Sequence, residues 1–178
     1  MDDPILRTER LDLRPLRPAH GAFIVELLND PLWLRFIGNR GNVRDAEGAL
    51  RYVERTQAMY ARYGHGLWLV ERREDGVPLG LTGLIRREQL RDVDLGFGFL
   101  SRYQGLGYGH ESARAALDFG VRELGLARIV AITSPENAVS CALLEKLGFR
   151  HERTYDFTPG DPVRLYAVGA EESADARA

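Results

Sequence analysis

The chain has 178 residues, 44% of them hydrophobic and 28% charged, with a formal net charge of −2. This length and composition suit one globular domain with a sizeable core, and they exclude a chain that is disordered throughout. The balanced charge gives no reason to expect a nucleic-acid or membrane partner, and the single cysteine, Cys141, excludes an intramolecular disulfide and a CxxC metal site.

The N-terminal part of the chain predicts one strand and two helices. In "RTERLDLRPL", polar residues alternate with leucines, which is typical of a strand. Apolar residues at helical spacing predict a helix from Pro18 to Asn29 and a second helix that Asp45 caps and that runs to about Arg62. The segment 30–42 between them predicts a loop or a broken helix with large apolar groups.

The central part predicts three strands in succession. Asp75-Gly76 is a hairpin signal between the first two of them. Gly96 and Gly98 lie inside the third, which indicates a bulge or a close backbone approach. The predicted strands are Leu67–Glu71, Leu79–Arg86 and 92–100.

The C-terminal half predicts two helices and three strands, and Gly148 with Phe149 has the form of a helix C-terminus. The element order is then β-α-α-β-β-β-α-β-α-β-β, which predicts an α+β domain whose mixed sheet is mostly antiparallel, with one βαβ crossover. The helices are predicted at about 109–124 and after Ser134–Asn137, and the strands at 128–133, 151–157 and 163–168. We expect one domain, 1–170, followed by a frayed polar tail, 171–178.

The sequence also lacks the usual marks of export or metal binding. The charged N-terminus has no apolar stretch like that of a signal peptide, and no run approaches the roughly 20 apolar residues of a membrane span. The four histidines are scattered without HxxxH spacing, so no metal is expected. We therefore expect a soluble, cytoplasmic protein.

The turn "SRYQGLGYGHES" is the most informative segment, because Gly105, Gly107 and Gly109 stand between a predicted strand and a predicted helix. Backbone N–H groups that converge at a helix N-terminus would suit a pyrophosphate. His110 replaces the third glycine of the GxGxxG dinucleotide fingerprint, and no Gly-Lys-Ser/Thr sequence completes a P-loop. A tight turn that binds nothing is an equally good interpretation of the glycines alone.

The motif "QGLGYG" resembles the [RQ]xxGx[GA] signature of the GNAT superfamily of acyl-CoA-dependent N-acyltransferases. "DLGFGFL" before it and "NAVSCALLEKLGF" after it are similar to two further signature regions of that family. The segments "RYQGLGYGHES" and "TERLDLRPL" resemble the corresponding sequences of one branch of the family, which contains the ribosomal-protein N-terminal alanine and serine acetyltransferases. The resemblance covers roughly residues 7–168.

This resemblance implies a V-shaped splay between the parallel strands 92–100 and 128–133, helped by a bulge, in which acetyl-CoA lies as the cosubstrate. It places the pantetheine beside the backbone of Phe99 and Leu100, and Asn137 and Ser140 near the cofactor arm and the thioester sulfur. Tyr108 has core packing as its alternative role. The pyrophosphate would contact Gln104, Gly105, Leu106, Gly107, Tyr108 and Gly109.

The resemblance implies direct acetyl transfer to an amine in a ternary complex, with a backbone N–H near Leu100 stabilising the oxyanion. Asp94 is the first candidate for the general base, and Asp92 and Glu88 are alternatives. Leu144 replaces the tyrosine acid of many family members, so Ser140 becomes the candidate donor to the thiolate; a helix serine bonded to its own backbone is the alternative.

Several alternatives stay open at this point. Cys141 is either a nucleophile or, as we prefer, a buried inert thiol. Core packing is the alternative for each aromatic candidate on the acceptor side, which the loops 30–44 and 158–162 would build from Trp33, Phe36, Trp68 and Tyr103. The acceptor would be a small-molecule amine or a protein N-terminus, and the enzyme a monomer or homodimer. A non-catalytic acyl-CoA sensor and a nucleotide-binding module are the competing functions.

Overall fold

Eight strands form a single sheet in the computed structural model, which describes residues 3–38 and 43–169. Their spatial order is β1-β2-β3-β4-β5-β6-β8-β7, and β5–β6 is the parallel pair among otherwise antiparallel neighbours. The strands are β1 Leu6–Arg7, β2 Leu11–Pro15, β3 Leu67–Arg72, β4 Pro78–Ile85, β5 Val93–Phe99, β6 Arg128–Thr133, β7 Arg150–Thr158 and β8 Asp161–Gly169. The predicted mixed α+β architecture is confirmed.

Five α-helices connect these strands in the described part of the chain. The predicted first strand is two short strands, because Thr8 N donates to Leu11 O and turns the chain back on itself. The segment expected as a loop or broken helix contains a short helix, capped by Asp30, whose carboxylate accepts from Leu32 N at 3.0 Å. The helices are α1 Gly21–Leu28, α2 Pro31–Phe36, α3 Ala46–Tyr63, α4 Tyr108–Arg122 and α5 Ala138–Lys146.

Capping residues set the start of α3 and the end of α5 at the positions that the sequence predicts. The carboxylate of Asp45 accepts from Gly48 N at 2.8 Å and begins α3. At the end of α5, Gly148 has a φ of +95° and Phe149 N donates to Leu144 O at 3.0 Å. The predicted glycine C-terminus of this helix is therefore confirmed.

Helices cover both faces of the sheet, and the alternation along β3 shows how. Trp68 and Val70 point into a cluster with Leu117 of α4, whereas Leu69 between them joins a second cluster with Val53 of α3. Successive side chains of a strand point to opposite faces, so β3 is buried on both. The described residues thus form three layers with the sheet in the middle.

The two parallel strands pair only at their beginning. Their register joins Val93 to Ile129 and Asp94 to Val130, after which β5 and β6 separate. The pairing of β5 with β4 runs without a shift from Asp94 to Phe99, so the expected bulge is absent from that part of the ladder. The expected V-shaped splay is therefore present and begins where the β5–β6 ladder ends.

The glycines of β5 serve close packing. A Cβ on Gly98 would lie 2.4 Å from the ring of Trp33, and one on Gly96 would lie 2.6 Å from Ile85 Cδ1. These distances support the close-approach interpretation of the two glycines. None of the described helices is long and apolar enough to cross a membrane. The predicted tail, 171–178, lies outside the described residues, and the domain limit at residue 170 stays a prediction.

Candidate active site

A cleft of about 1030 Å³ opens where β5 and β6 separate. One arm is walled by α2 and α3, and the other by the start of α4 and by α5. A volume near 1,000 Å³ is large for a ligand pocket and has room for an extended ligand. Most of the residues singled out in the sequence line this cleft: Asp94, Phe99, Gln104, Gly105, Gly107, Gly109, Asn137 and Ser140.

The glycine turn at the start of α4 has the conformation of an anion-binding loop. Gly105 and Gly107 adopt left-handed φ angles of +74° and +84°, which side chains rarely adopt. Gly107 is the N-cap of a 15-residue helix, so the first backbone N–H groups of that helix are unsatisfied within it and carry partial positive charge. The arrangement suits a phosphate at the mouth of the cleft.

Thr8 and Arg10, at the far edge of the sheet, bind Glu111 of α4 and so hold this turn; these three residues are called the clamp. The Glu111 carboxylate accepts from Thr8 Oγ1 at 2.6 Å, Arg10 N at 2.9 Å and Arg10 Nε at 2.7 Å. Arg10 Nη1 in turn donates to Leu106 O at 3.1 Å, and its guanidinium lies 4.6 Å from the centre of the Tyr108 ring. The clamp joins residues 103 apart in sequence, which is why no local motif indicates it.

These contacts also account for the charge state of Glu111. Burial alone would raise the pKa of this carboxyl, but the hydrogen bonds from Thr8 and Arg10 outweigh burial and hold the pKa below its ordinary value. Leu106 and Tyr108 are not among the described residues that line the cleft, and the Tyr108 ring is buried. Their contact with a pyrophosphate stays a prediction, whereas the packing role of Tyr108 is evident.

The backbone of β5 presents alternate residues to the cleft. Leu100 N donates to Leu79 O at 3.1 Å, so the amide of Leu100 faces β4. Because orientations alternate along an antiparallel strand, the N–H and C=O groups of Phe97 and Phe99 face the opposite side, toward the splay. The side-chain amide of Gln104 donates to Phe99 O at 3.2 Å on that side.

This alternation narrows the choice of the oxyanion donor expected near Leu100. The N–H of Leu100 itself already has a partner, and the Leu100 side chain belongs to the same buried cluster as Leu81. The backbone donor available to the cleft is one residue earlier, at Phe99. The expected backbone pairing with a ligand at Phe99 remains compatible with the structure.

Asp94 lies at the base of the splay and is 1% exposed. Its Oδ2 accepts from Arg87 Nε at 2.6 Å, and its Oδ1 accepts from Ile132 N at 3.3 Å. Both Asp94 and Arg87 line the cleft. The carboxylate therefore satisfies a backbone N–H that β5 leaves unpaired and also neutralises a guanidinium that sequence reasoning had not identified.

The alternative carboxylates are less well placed. Asp92 pairs with Arg128 at 3.1 Å, and Arg128 also pairs with Glu152 at 2.7 Å. Glu88 is exposed on the connection between β4 and β5. Neither Asp92 nor Glu88 is among the described residues that line the cleft. Asp94 is thus the better placed of the three candidates for a general base.

The start of α5 brings Asn137 and Ser140 to the opposite wall. Asn137 Oδ1 accepts from Ser140 N at 3.1 Å and caps the helix, which leaves the side-chain NH2 of Asn137 as a donor toward the cleft. The Ser140 hydroxyl makes no hydrogen bond to any residue that the structure describes. The alternative in which this hydroxyl is bonded to its own helix is therefore not what the structure shows.

Two neighbours of Ser140 on α5 have structural environments. Leu144, at the place of the tyrosine acid, is 1% exposed and reaches the cleft only as an apolar wall. Cys141 is buried in the core, where Arg164 Nη1 lies 3.9 Å from its sulfur, and it is not among the described cleft-lining residues. This placement agrees with the buried interpretation of the thiol.

His110 lines the cleft beside the glycine turn, a role that the sequence did not indicate. Burial lowers the pKa of this imidazole, and the positive charges of Lys146 and Arg114 lower it further. The neutral form is therefore favoured at neutral pH. Among the described residues, no group of three or more His, Cys, Asp or Glu side chains is arranged to hold a metal ion.

The acceptor arm has an aromatic wall on α2. Trp33, Phe36 and Tyr103 line it as the sequence suggested, and the Asp30 carboxylate fixes α2 by accepting from Ser101 N at 2.9 Å. From the expected loops, Asp161 of the 158–162 turn reaches the cleft, whereas residues 39–42 of the 30–44 loop lie outside the described part.

Trp68 was also a candidate for the acceptor side, but it belongs to the core. It is 1% exposed, and its ring makes an edge-to-face contact with Phe119 of α4, with 5.4 Å between ring centres. The structure thus corrects this expectation, since the Trp68 side chain lies on the α4 face of the sheet. Its alternative role in core packing is the one observed.

Comparison with known proteins identifies relatives over most of the chain. The sequence profile of the acetyltransferase (GNAT) domain matches residues 10–150. The chain is 30% identical over 152 residues to the uncharacterized protein YkkB of Bacillus subtilis (strain 168), covering 84% of this chain and 87% of YkkB. It is 28% identical over 171 residues to the uncharacterized N-acetyltransferase YoaA of the same strain, covering 93% of this chain and 96% of YoaA.

The fold also has solved neighbours. One is RimL, a ribosomal alpha-N-protein acetyltransferase whose structure was solved in complex with coenzyme A. It superposes with a TM-score of 0.80 at 20% sequence identity, covering 93% of this chain and 97% of RimL. At this identity the likeness concerns the fold.

Proposed function

The chain belongs to the GNAT acetyltransferase family, and we propose that it moves an acetyl group from acetyl-CoA directly to a primary amine within a ternary complex. The amine is carried by a protein N-terminus or a small molecule. The observation that carries the proposal is the cleft between β5 and β6, where the glycine turn at the start of α4 would hold a pyrophosphate in one arm and the other arm has room for an acceptor. When bound, acetyl-CoA supplies the thioester that an amine attacks.

The residues of the cleft fit this cosubstrate. Backbone N–H groups from Gly105 to Gly109 would hold the pyrophosphate, and Arg10 would support them through its bond to Leu106 O. The backbone of Phe99 and the side-chain amide of Asn137 would bind the polar groups of the pantetheine arm. The coenzyme A bound to RimL, a protein of the same fold, supports this choice of ligand.

Catalysis would rest first on holding the two reactants together, which for oriented groups reaches about 7–11 kcal/mol. The Phe99 N–H would then stabilise the negative charge that develops on the thioester oxygen. Loss of one such donor in other enzymes costs about 2.7–4 kcal/mol. The geometry favours Phe99 because the neighbouring N–H of Leu100 is bonded to Leu79.

Proton transfer would involve Asp94 and Ser140. The Asp94 carboxylate lines the cleft at the base of the splay, so it would take the proton of the amine through a bridging water. The Ser140 hydroxyl lines the cleft without a bond to the described residues, and it would donate to the thiolate in place of the tyrosine that Leu144 replaces. In direct transfer the amine is the nucleophile and the enzyme supplies none, which agrees with the buried position of Cys141.

An acceptor screen tests the proposal. Purified protein with acetyl-CoA is mixed with primary amines and peptides, and products are identified by mass spectrometry while thiol release is followed. Acetylated amine that depends on enzyme supports transfer. Acetyl-CoA binding without turnover on any acceptor would favour the non-catalytic sensor, for which the apolar Leu144 is the motivating observation. Calorimetry with CoA, ATP and NAD tests the nucleotide-binding alternative.

The remaining expectations concern the cellular setting. The balanced charge of the chain favours neither a nucleic-acid nor a membrane partner, and its single cysteine, Cys141, suits a reducing compartment. We therefore propose a cytoplasmic enzyme that acts as a monomer or homodimer, and sedimentation analysis of the purified protein tests the oligomeric state.

A further inference from the structure

The acceptor arm of the cleft carries an excess of positive charge on its helical side. Arg35 of α2 and Arg55 of α3 line it, and no carboxylate of α2 or α3 is among the described residues that do so. On the sheet side, Asp94 is paired with Arg87 at 2.6 Å. Asp161 lines the cleft from the far hairpin, across from α2 and α3.

Two hydrogen-bond donors of α3, Tyr52 and Arg55, line this arm together. The Arg55 guanidinium carbon lies 5.9 Å from the centre of the Tyr52 ring. Burial raises the pKa of the Tyr52 hydroxyl to about 12, and the nearby charges of Arg55 and Arg87 oppose that rise. The Tyr52 hydroxyl therefore stays protonated at neutral pH and is able to donate.

This cluster has the properties of a carboxylate site. A guanidinium presents paired N–H groups that match the two oxygens of a carboxylate, and a phenol hydroxyl adds a third donor. Arg55 contacts Tyr52 through its ring and forms no salt bridge with any described residue. Its positive charge is therefore available to a ligand in the cleft.

The walls around the cluster are apolar. Trp33 and Phe36 face the arm from α2, and Met59 faces it from α3, one turn beyond Arg55. An acceptor that fills this space must bury an apolar group against them. Its amine would point toward Asp94, where a carboxylate at the base of the splay favours a positive or proton-releasing group.

We infer that the acceptor is a small α-amino acid with an apolar side chain, whose carboxylate binds to Arg55 and Tyr52. This inference rests on the proposed acetyl transfer and names the substrate class for it. The distribution of charge in the cleft suits such a molecule, because its carboxylate meets the charge of Arg55, which pairs with no described carboxylate, while its amine points toward Asp94. A cationic polyamine would place positive charge against Arg35 and Arg55 and is disfavoured.

The experiment compares L-phenylalanine with L-phenylalaninamide as acceptors, with thiol release as the readout of kcat/KM. The amide has the more easily deprotonated amine, so its intrinsic reactivity opposes the expected result. We expect the free acid to be preferred by about tenfold or more, since a hydrogen-bonded charge in such a site contributes on that scale. The variants are Arg55→Gln, and Tyr52→Phe, which removes only the hydroxyl.

Arg55→Gln should raise KM for L-phenylalanine about tenfold and lower kcat/KM for the amide much less, whereas Tyr52→Phe should have a smaller effect of the same selectivity. Arg51→Gln is the matched control, because Arg51 is on the same helix, pairs with Glu47 and is not among the described cleft-lining residues. Equal kcat/KM for acid and amide in the wild type, or an equal loss for both in Arg55→Gln, would overturn the inference.

A binding measurement separates this inference from the proposed function. Calorimetry with the CoA-saturated protein compares N-acetyl-L-phenylalanine with its amide, and it needs no turnover. If the acid binds more tightly than the amide and Arg55→Gln abolishes the difference, the carboxylate site is supported. A failure to acetylate any amine would then count against the proposed transfer and not against the carboxylate site. Acetylation of amines without a carboxylate at equal efficiency would refute the inference and leave the acetyltransferase function standing.

Discussion

Substitution of Gly107 by valine tests the anion-binding loop most directly. Gly107 has a φ of +84°, and a side chain there costs about 1–2 kcal/mol in left-handed backbone. A Cβ would also lie 3.1 Å from Arg10 Nη2. The other terminal nitrogen of this guanidinium, Nη1, donates to Leu106 O, so a shift of Arg10 would disturb the turn as well. The loop has to relax away from this conformation, and its N–H groups would then no longer converge.

The expected loss of CoA affinity follows from those N–H groups. A hydrogen bond to a charged group contributes about 1.5–3 kcal/mol, so misdirecting one or two of them weakens CoA binding by about 10- to 100-fold or more. The melting temperature should fall by a few degrees, since about 1 kcal/mol corresponds to ~2–4 °C in a chain of this size. Calorimetric titration with CoA and a thermal melt measure the two effects separately.

Gly125→Val is the matched control for backbone strain. Gly125 has a φ of +63° on the connection between α4 and β6, and a Cβ there meets nothing within 4 Å. It should lower the melting temperature by a similar amount and leave the CoA dissociation constant unchanged. A folded Gly107→Val protein with wild-type affinity for CoA would refute the assignment of this turn to the pyrophosphate.

Three further predictions concern the clamp and the proton path. Glu111→Gln should weaken CoA binding several-fold and remove a pH-dependent contribution to the stability of the fold. The lowered pKa of the Glu111 carboxyl stabilises the folded state at pH values above the ordinary pKa near 4.5. This contribution is lost as the pH falls through the folded-state pKa. Acid unfolding followed by circular dichroism checks it, and an identical acid transition in the variant would contradict it. Ser140→Ala should lower kcat about 10- to 100-fold with little change in KM for acetyl-CoA, and an unchanged kcat would exclude the hydroxyl as the donor to the thiolate. Asp94→Asn keeps an acceptor for Ile132 N but removes the charge opposite Arg87 and the proposed base. The value of kcat/KM should therefore fall about 100-fold or more. Near-normal turnover in a folded variant would exclude Asp94 as the base.

Patterns with local causes were predicted well from the sequence. The β-branched run "RIVAIT" predicts a strand at 128–133, and β6 has those bounds. Asp45 and Gly148 cap their helices as predicted, because a cap depends only on residues within one or two turns. The glycine turn and its neighbours were sufficient to indicate the family that the comparisons show.

Pairings between distant segments were not visible in the sequence. Arg87 carries no motif, and its role follows only from the fold that brings it to Asp94. The clamp of Thr8 and Arg10 on Glu111 is of the same kind. Such contacts are determined by the order and register of strands, which a single sequence with balanced charges leaves open.

The choice between the amides of Phe99 and Leu100 could not be made from the sequence. Phe99 ends β5 and Leu100 follows it directly, and their residue types do not tell which amide faces which neighbour. The register with β4 decides it, since Leu79 O accepts from Leu100 N and alternation then turns Phe99 toward the splay. A difference of one residue in register would exchange the two roles.

The splay itself explains why structural and chemical roles coincide at this site. When β5 and β6 separate, both strands are left with backbone groups that have lost their ladder partners, and such groups are costly to bury unsatisfied. Asp94 satisfies Ile132 N, and Gln104 satisfies Phe99 O. The Phe99 N–H, which faces the splay beyond the last β5–β6 pair, is then the group that a ligand carbonyl would satisfy. The opening that destabilises the sheet thereby provides the hydrogen-bonding groups for the acetyl donor, so we expect substitutions at Asp94 to affect stability and turnover together.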